Sequence, residues 1–105
     1  MNQQRLFLRK YEAEFEEFDR RNPDVWRLFE RFTLLAIGSG RAHYSAEAIL
    51  QRLRWHVDID TRSADGFKIN DHFRTFYARK FIALHRAHAR FFETRERPRK
   101  REESR

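Results

Sequence analysis

Apolar residues recur at helical spacing in the first part of the chain. Phe7, Tyr11, Phe15 and Phe18 follow one another at steps of three or four residues, with glutamates between them. This spacing places the aromatic side chains on one face of a helix and the glutamates on its solvated sides. We therefore predict a first helix from Asn2 to Asp19.

A second helix start follows at Asn22-Pro23-Asp24. Asn22 can cap the helix, Pro23 suits the first helical position, and Asp24 complements the positive end of the helix. Apolar residues from Val25 to Ile37 then cover more than half of the circumference, which predicts that this helix is central to the core. We expect Gly38-Ser39-Gly40 to end it, with one glycine in the left-handed conformation.

A third helix is predicted after Ser45, whose hydroxyl can cap it. Tyr44 and Ile49 occupy the two positions of a hydrophobic staple around that cap. Trp55 falls off the apolar stripe of this helix, so we expect it at the edge of the buried surface. The stripe itself comprises Ala46, Ile49, Leu50, Leu53 and Val57.

The apolar period changes to two after the third helix. Apolar and polar residues alternate from Val57 to Thr61 and again from Phe67 to Ile69. The Asp65-Gly66 pair between these runs is typical of a tight turn, and two alternating runs around such a turn favour a β-hairpin. We therefore predict a short hairpin in this part of the chain.

A fourth helix is predicted after Asn70 or Asp71, either of which can cap it. Its apolar residues extend from Phe73 to Leu84, and we expect a turn near His85-Arg86 before Phe91-Phe92 return to the core. The order of elements favours a mainly α (α+β) fold, with a four-helix core and a short β-hairpin between helices 3 and 4. Such an order resembles helix-turn-helix and winged-helix domains, although helix-turn-helix connections normally have about three or four residues.

Composition and length predict a single domain over residues 1–94 and a disordered basic tail over residues 95–105. Of the 105 residues 40% are hydrophobic and 15% aromatic, and a few aromatic side chains suffice to hold a small core together. The absence of cysteine excludes disulfides, thiolate zinc sites and cysteine nucleophiles. The residues after Met1 are polar, and the longest uncharged stretch, Phe32 to Gly40, is about half of a bilayer span. We therefore expect a cytoplasmic protein without a membrane segment.

All of the excess positive charge lies after Gly40. The chain up to that residue carries 7 basic and 7 acidic residues, whereas the remainder carries 16 basic and 9 acidic residues, which accounts for the net charge of +7. A cationic face on a folded domain attracts polyanions. We therefore predict that the partner is nucleic acid, in particular double-stranded DNA.

The predicted nucleic-acid contacts lie in the third helix, the fourth helix and the tail. Arg74 and Arg79 have the guanidinium groups that bind guanine or phosphate bidentately, and the tail would add salt-dependent affinity without sequence preference. A solvated helix face and a solubilising tail would carry the same residues, so these interpretations stay open. The full predicted set is Arg52, Arg54, His72, Arg74, Thr75, Arg79, Lys80, Arg95, Arg97, Arg99, Lys100 and Arg101.

Catalytic and metal-binding sites are harder to build from this sequence. His85 and His88 share a helical face, but a third metal ligand is not evident. A nuclease site would require Asp58, Asp60 and Lys68 to converge in space. A serine nucleophile elbow and a phosphate-binding loop are both lacking. We therefore predict a protein that is not an enzyme and binds no metal or cofactor.

The alternative to DNA binding is a protein-interaction module that docks on a host or phage protein. Trp26, Trp55 and the acid-rich first helix would then be the surface determinants, because exposed aromatic residues often anchor interfaces. Exposure of Trp55 distinguishes the two hypotheses. An apolar patch around an exposed Trp55 favours a protein partner, whereas a buried Trp55 beside a continuous arginine face favours nucleic acid.

Six short motifs form an ordered set along most of the chain. They are Asn22-Pro23-Asp24-Val25-Trp26, Tyr44-Ser45-Ala46, Arg54-Trp55-His56, Phe67-Lys68-Ile69-Asn70, Tyr77-Ala78-Arg79 and Phe91-Phe92-Glu93-Thr94-Arg95. Through them the stretch from Phe15 to Arg95 resembles a family of small uncharacterised proteins encoded by bacteriophages, prophages and bacteria. The resemblance implies a bacterial or viral origin and a cytoplasmic setting, and it implies no particular activity or substrate.

Overall fold

The described part of the chain is built from helices. The structure, a computed structural model, describes residues 3–60 and 69–92, with side chains from 9 to 59 and from 69 to 92. The elements are α1 (Gln3–Arg21), α2 (Pro23–Gly38), α3 (Ala46–Trp55), a π-helical turn (His56–Asp60), α4 (Phe73–Leu84) and a 3-10 turn (Arg86–His88). The predicted helical core is confirmed, and none of the described helices has the length and apolar character of a membrane span.

Local capping signals explain where the helices begin and end. The hydroxyl of Ser45 accepts hydrogen bonds from the backbone N–H groups of Glu47 and Ala48, at 3.1 and 3.2 Å, which confirms its predicted cap. Gly40 adopts the predicted left-handed conformation, with φ of 101°. Asn22 differs from the prediction, because its side-chain amide donates to the carbonyl of Phe18 at 3.0 Å and so closes α1 instead of capping α2.

The predicted β-hairpin between helices 3 and 4 is wrong. Residues 56–60 form a π-helical turn that continues α3, and no strand is present among the residues described. Val57 follows Leu53 by four residues, so it extends the buried stripe of α3 and is only 8% exposed, whereas Ile59 is 51% exposed. Two apolar positions two residues apart fit this turn as well as they fit a strand. Residues 61–68 lie outside the described part.

The winged-helix assignment is wrong together with the hairpin. A winged helix needs strands beside its helices, and no strand is present among the described residues, so this part of the fold is mainly helical rather than α+β. Helix α4 packs against α1, α2 and α3. Five of its residues are buried: Phe73, Phe76, Tyr77, Ala78 and Phe81. The central helix is therefore α4, not α2.

Aromatic rings from three helices meet around Tyr77 of α4, which is completely buried. The ring centroids of Phe15 in α1 and Phe29 in α2 lie 4.7 and 5.2 Å from that of Tyr77. Phe92 packs 5.7 Å from Phe29. Large rings at these separations fill a small core with few residues, as the aromatic content predicted.

The loop between α2 and α3 is fixed against the last described residues. The backbone N–H of Tyr44 donates to the carbonyl of Phe91 at 3.2 Å, and Tyr44 forms a parallel β-bridge with Phe92. Phe91 and Phe92 are buried, which confirms the predicted return of apolar surface after α4. As a result, the basic residues of the loop and of the last described residues share one side of the domain.

Candidate functional site

Lys80, predicted to contact nucleic acid, joins three helices instead. Its Nζ lies 2.6 Å from Oδ2 of Asp19 in α1 and 4.6 Å from the ring centroid of Trp26 in α2. Both side chains of this ion pair are mostly buried, with 32% of Lys80 and 17% of Asp19 exposed. Burial, and then the negative charge of Asp19, raise the pKa of Tyr77 beside this pair well above its ordinary value. Lys80 and Trp26 are therefore part of the packing rather than binding determinants.

Arg54, also predicted to contact nucleic acid, holds α3 to the residues that precede α4. Its guanidinium donates to the carbonyl of Ile69 at 2.8 Å and to the carboxylate of Asp71. The hydrogen bond from Arg54 lowers the pKa of Asp71 below its ordinary value. About a third of the Arg54 side chain is exposed, so most of it serves this connection.

We expect Arg54→Ala to lower the free energy of unfolding by about 1–2 kcal/mol, because the carbonyl of Ile69 loses its donor. Affinity for nucleic acid should stay within about twofold, because a cation committed to the fold makes no phosphate contact. Thermal unfolding and fluorescence anisotropy measure the two effects. Arg54→Lys is the matched variant, since it keeps the charge and loses the forked geometry. A weaker affinity in Arg54→Ala with unchanged stability would contradict this assignment.

The other predicted residues of α4 form only a narrow exposed strip. His72, Thr75 and Arg79 follow at steps of three and four residues on the exposed side of α4. Arg74 lies off this strip and donates to the backbone carbonyl of Asp71 at 3.2 Å. The exposed strip therefore presents one arginine, Arg79, where the sequence predicted two guanidinium groups and a lysine.

Several predicted residues lie outside the described part. The tail contacts are among them, namely Arg95, Arg97, Arg99, Lys100 and Arg101. The same holds for Lys68 and for the side chain of Asp60, so the convergence that a nuclease site requires stays untested. The roles of these residues therefore remain predictions.

One histidine of the predicted pair at the end of α4, His85, has a structural role. Nε2 of His85 lies 2.6 Å from Oε2 of Glu30 in α2, and the His85 ring stacks on Phe81 with centroids 4.4 Å apart. Groups of three or more metal-binding side chains are absent from the residues described. His85 therefore connects α2 to the end of α4.

Arg52 belongs to a site that sequence reasoning found only in part. Its Cζ lies 4.6 Å from the ring centroid of Phe32, and Arg41 is held in the same way, 5.1 Å from the ring centroid of Tyr44. Both arginines line an open pocket of about 320 Å³ between α2 and α3. Among the described residues, the lining is Phe32, Leu35, Ala36, Ser39, Arg41, Tyr44, Ile49 and Arg52, and none of these carries a carboxylate.

The basic surface extends from this pocket to the last described residues. Nδ1 of His43 lies 3.2 Å from the backbone carbonyl of Arg90, and within residues 9–59 and 69–92 neither Arg41 nor Arg90 forms an ion pair. By contrast, the α1 arginines Arg20 and Arg21 are paired with Glu17. We refer below to the basic face, which comprises Arg41, His43, Tyr44, Arg52 and Arg90.

Sequence reasoning missed Arg41, His43, Tyr44 and Arg90 as site residues. The sequence offered one indication, namely that Arg41 is the first residue of the basic part of the chain and follows Gly40, two residues after the end of α2. The contact between the loop and the last described residues joins groups 47 positions apart in sequence, and no local pattern predicts such a contact.

Comparisons with protein-family models, with curated proteins and with solved structures find no match to this chain. The resemblance to small phage and bacterial proteins therefore stays a prediction.

Proposed function

We propose that this domain binds nucleic acid through the basic face and not through α4. The observation that supports this most directly is the pair of arginines, Arg41 and Arg52, on one pocket whose described lining residues include no carboxylate. Each guanidinium is held against an aromatic ring, at 5.1 and 4.6 Å from the centroid. Guanidinium groups positioned in this way are suited to phosphate, which they bind through several parallel hydrogen bonds.

The basic tail would reinforce binding at the same place. The described chain ends at Phe92, which is bridged to Tyr44 of the basic face, and Arg95 follows three residues later in the sequence. Cations of this kind release counterions from nucleic acid and supply affinity without sequence preference. We propose a non-enzymatic, DNA-associated or regulatory role in the cytoplasm of a bacterial or phage-infected cell, the setting that the resemblance implies.

The test is fluorescence anisotropy with labelled nucleic acid, as a generic duplex and as one of its strands, between about 50 and 200 mM salt. Log affinity should fall linearly with log salt, by about 0.9 for each duplex phosphate neutralised and less for the single strand. Arg41→Glu/Arg52→Glu should weaken binding by roughly tenfold or more, because two phosphate contacts become repulsive. Removal of residues 95–105 should weaken binding without abolishing it.

The matched control is Arg20→Glu/Arg27→Glu, which changes the net charge equally but lies in α1 and α2, where both arginines are paired with acids. This control should lose much less affinity than the variant of the basic face. An equal loss of affinity would mean that binding depends on the total charge of the protein and not on a particular surface of the domain. Complete loss of binding on removal of the tail would mean that the folded domain takes no part.

A second candidate function is supported by one observation. Trp55 is 58% exposed, and Ile59, about one turn further along the chain, is 51% exposed. By the criterion set from the sequence, an exposed apolar pair at Trp55 favours a protein partner, since such residues anchor interfaces. If neither a duplex nor a single strand binds, binding of a protein partner should be compared between the Trp55→Ser variant and the unaltered protein.

A further inference from the structure

We propose that the pocket between Arg41 and Arg52 receives an unstacked base, so that the basic face selects single-stranded nucleic acid over duplex. This inference rests on the proposed function and specifies its substrate class. Three observations support it: the size and lining of the pocket, the packing of Arg41 and Arg52 against aromatic rings, and the position of α4 in the fold.

The pocket has the size and lining to accept a flat ring system. Its volume of about 320 Å³ lies at the lower end of the roughly 300–1,000 Å³ typical of small-ligand sites. Its apolar lining residues are Phe32, Leu35, Ala36 and Ile49, and its polar groups belong to Ser39, Arg41, Tyr44 and Arg52. A base in a duplex is covered on both faces by its neighbours, whereas a single strand can turn a base outward into such a pocket.

The lining of the pocket offers the two interactions by which proteins bind single-stranded nucleic acid, namely base stacking and phosphate pairing. Bases stack on aromatic rings and on guanidinium groups alike, and phosphates pair with the same guanidinium charge. Tyr44 is 37% exposed beside Arg41, so its ring is accessible at the edge of the pocket. The rings that hold Arg41 and Arg52 restrict these side chains before binding, which reduces the entropy lost when a strand is bound.

The described part of the fold offers little that could read a duplex. A helix that reads the major groove presents an exposed face whose side chains reach the base edges. Here α4 packs against the other three helices, and its exposed strip presents one arginine, Arg79. The exposed pocket between α2 and α3 is therefore a better candidate than α4 for the nucleic-acid site. Its chemistry fits a base with its adjoining phosphates.

Anisotropy with the full chain tests this inference, with a single strand of 15 deoxythymidines, one of 15 uridines and a mixed-sequence duplex of equal length. The single strands should bind about tenfold or more tightly than the duplex at the same salt, an effect within the range of one or two stacking contacts. Tyr44→Ala should weaken single-strand binding by about fivefold or more. The same variant should weaken duplex binding less than single-strand binding, since a duplex has no unstacked base to place in the pocket.

A second pair of variants keeps the test valid if Tyr44→Ala perturbs the loop. Leu35→Glu places a carboxylate in the pocket between the two arginines, and Leu34→Glu places the same charge on α2 outside the pocket lining. Both leucines are exposed, by 58% and 40%, so neither change opens the core. Leu35→Glu should reduce single-strand binding at least fivefold more than Leu34→Glu, since a carboxylate neutralises the adjacent guanidinium groups.

The outcomes separate this inference from the proposed function. Binding of the duplex as tightly as the single strands, or equal effects of the two leucine variants, would overturn the pocket assignment and leave the proposed function standing. Failure of all three nucleic acids to bind would overturn both. A preference for deoxythymidine or for uridine strands over the duplex would support the inference and show which of the two single strands the pocket accepts better.

Discussion

Replacement of Phe29 by alanine should lower the free energy of unfolding by about 3–5 kcal/mol. Phe29 is 0% exposed and lies where α2 meets α4, with its ring centroid 5.2 Å from that of Tyr77 and 5.7 Å from that of Phe92. The loss combines the transfer of a large apolar side chain with a cavity that surrounding rings cannot close. Urea unfolding followed by circular dichroism measures it.

Two comparisons make this result specific to packing. Phe29→Leu keeps most of the volume and should cost about 1–2 kcal/mol. Leu35→Ala, on the same helix but 58% exposed, should change stability by no more than about 0.5 kcal/mol. If Phe29→Ala cost less than about 1 kcal/mol, the contact of α2 with α4 would not be the tight core seen in the structure.

Replacement of Lys80 by alanine should lower the free energy of unfolding by about 2–3 kcal/mol, less than for a fully buried ion pair because part of this pair reaches solvent. The change leaves Asp19, which is only 17% exposed, without its cation. One carboxylate oxygen of Asp19 already lacks a hydrogen-bond partner in the described part of the protein. Chemical unfolding again gives the measurement.

The partner variants of this ion pair test the cause of that loss. Asp19→Asn should cost less than Lys80→Ala, since the lysine left behind can extend its charged end into water. Asp19→Leu/Lys80→Met should recover much of the stability, because an apolar pair avoids the desolvation of two charges. If the double variant were no more stable than Lys80→Ala, the loss would come from side-chain packing instead of from an uncompensated carboxylate.

Helix ends were predictable where the deciding groups are close in sequence. Ser45 caps α3 through N–H groups two and three residues away, and Gly40 adopts its left-handed conformation directly after α2. Such features need only neighbouring residues, so the sequence contains the necessary information. Asn22 shows the limit of this reasoning, since its amide could serve the helix before it or the helix after it, and it bonds to Phe18.

The hairpin was predicted wrongly because a short alternation does not define a strand. Val57 and Ile59 are two residues apart in either geometry, and only the spacing from Leu53 to Val57 shows that the stripe of α3 continues. Strands also depend on partners far along the chain, which a local pattern does not supply.

The roles of individual arginines depended on tertiary contacts. Arg52 and Arg54 are two residues apart on α3, yet Arg52 lies on the pocket against Phe32 while Arg54 bonds to Ile69 and Asp71. Opposite faces of the same helix meet different surroundings, and composition does not reveal them. The charge distribution predicts a polyanionic partner, but it does not identify the residues that would bind such a partner.

The bridge between Tyr44 and Phe92 has a consequence for how the two basic parts of the chain would cooperate. It places Phe92, which precedes Arg95 by three residues in the sequence, beside Tyr44 of the arginine-lined pocket. Once a nucleic-acid strand is bound in the pocket, its binding by the tail becomes an intramolecular step. The effective concentration for that step is on the order of millimolar for a short tether. Under the proposed function, the pocket and the tail would bind the same nucleic-acid strand together, and the length of chain between them would set the overall affinity.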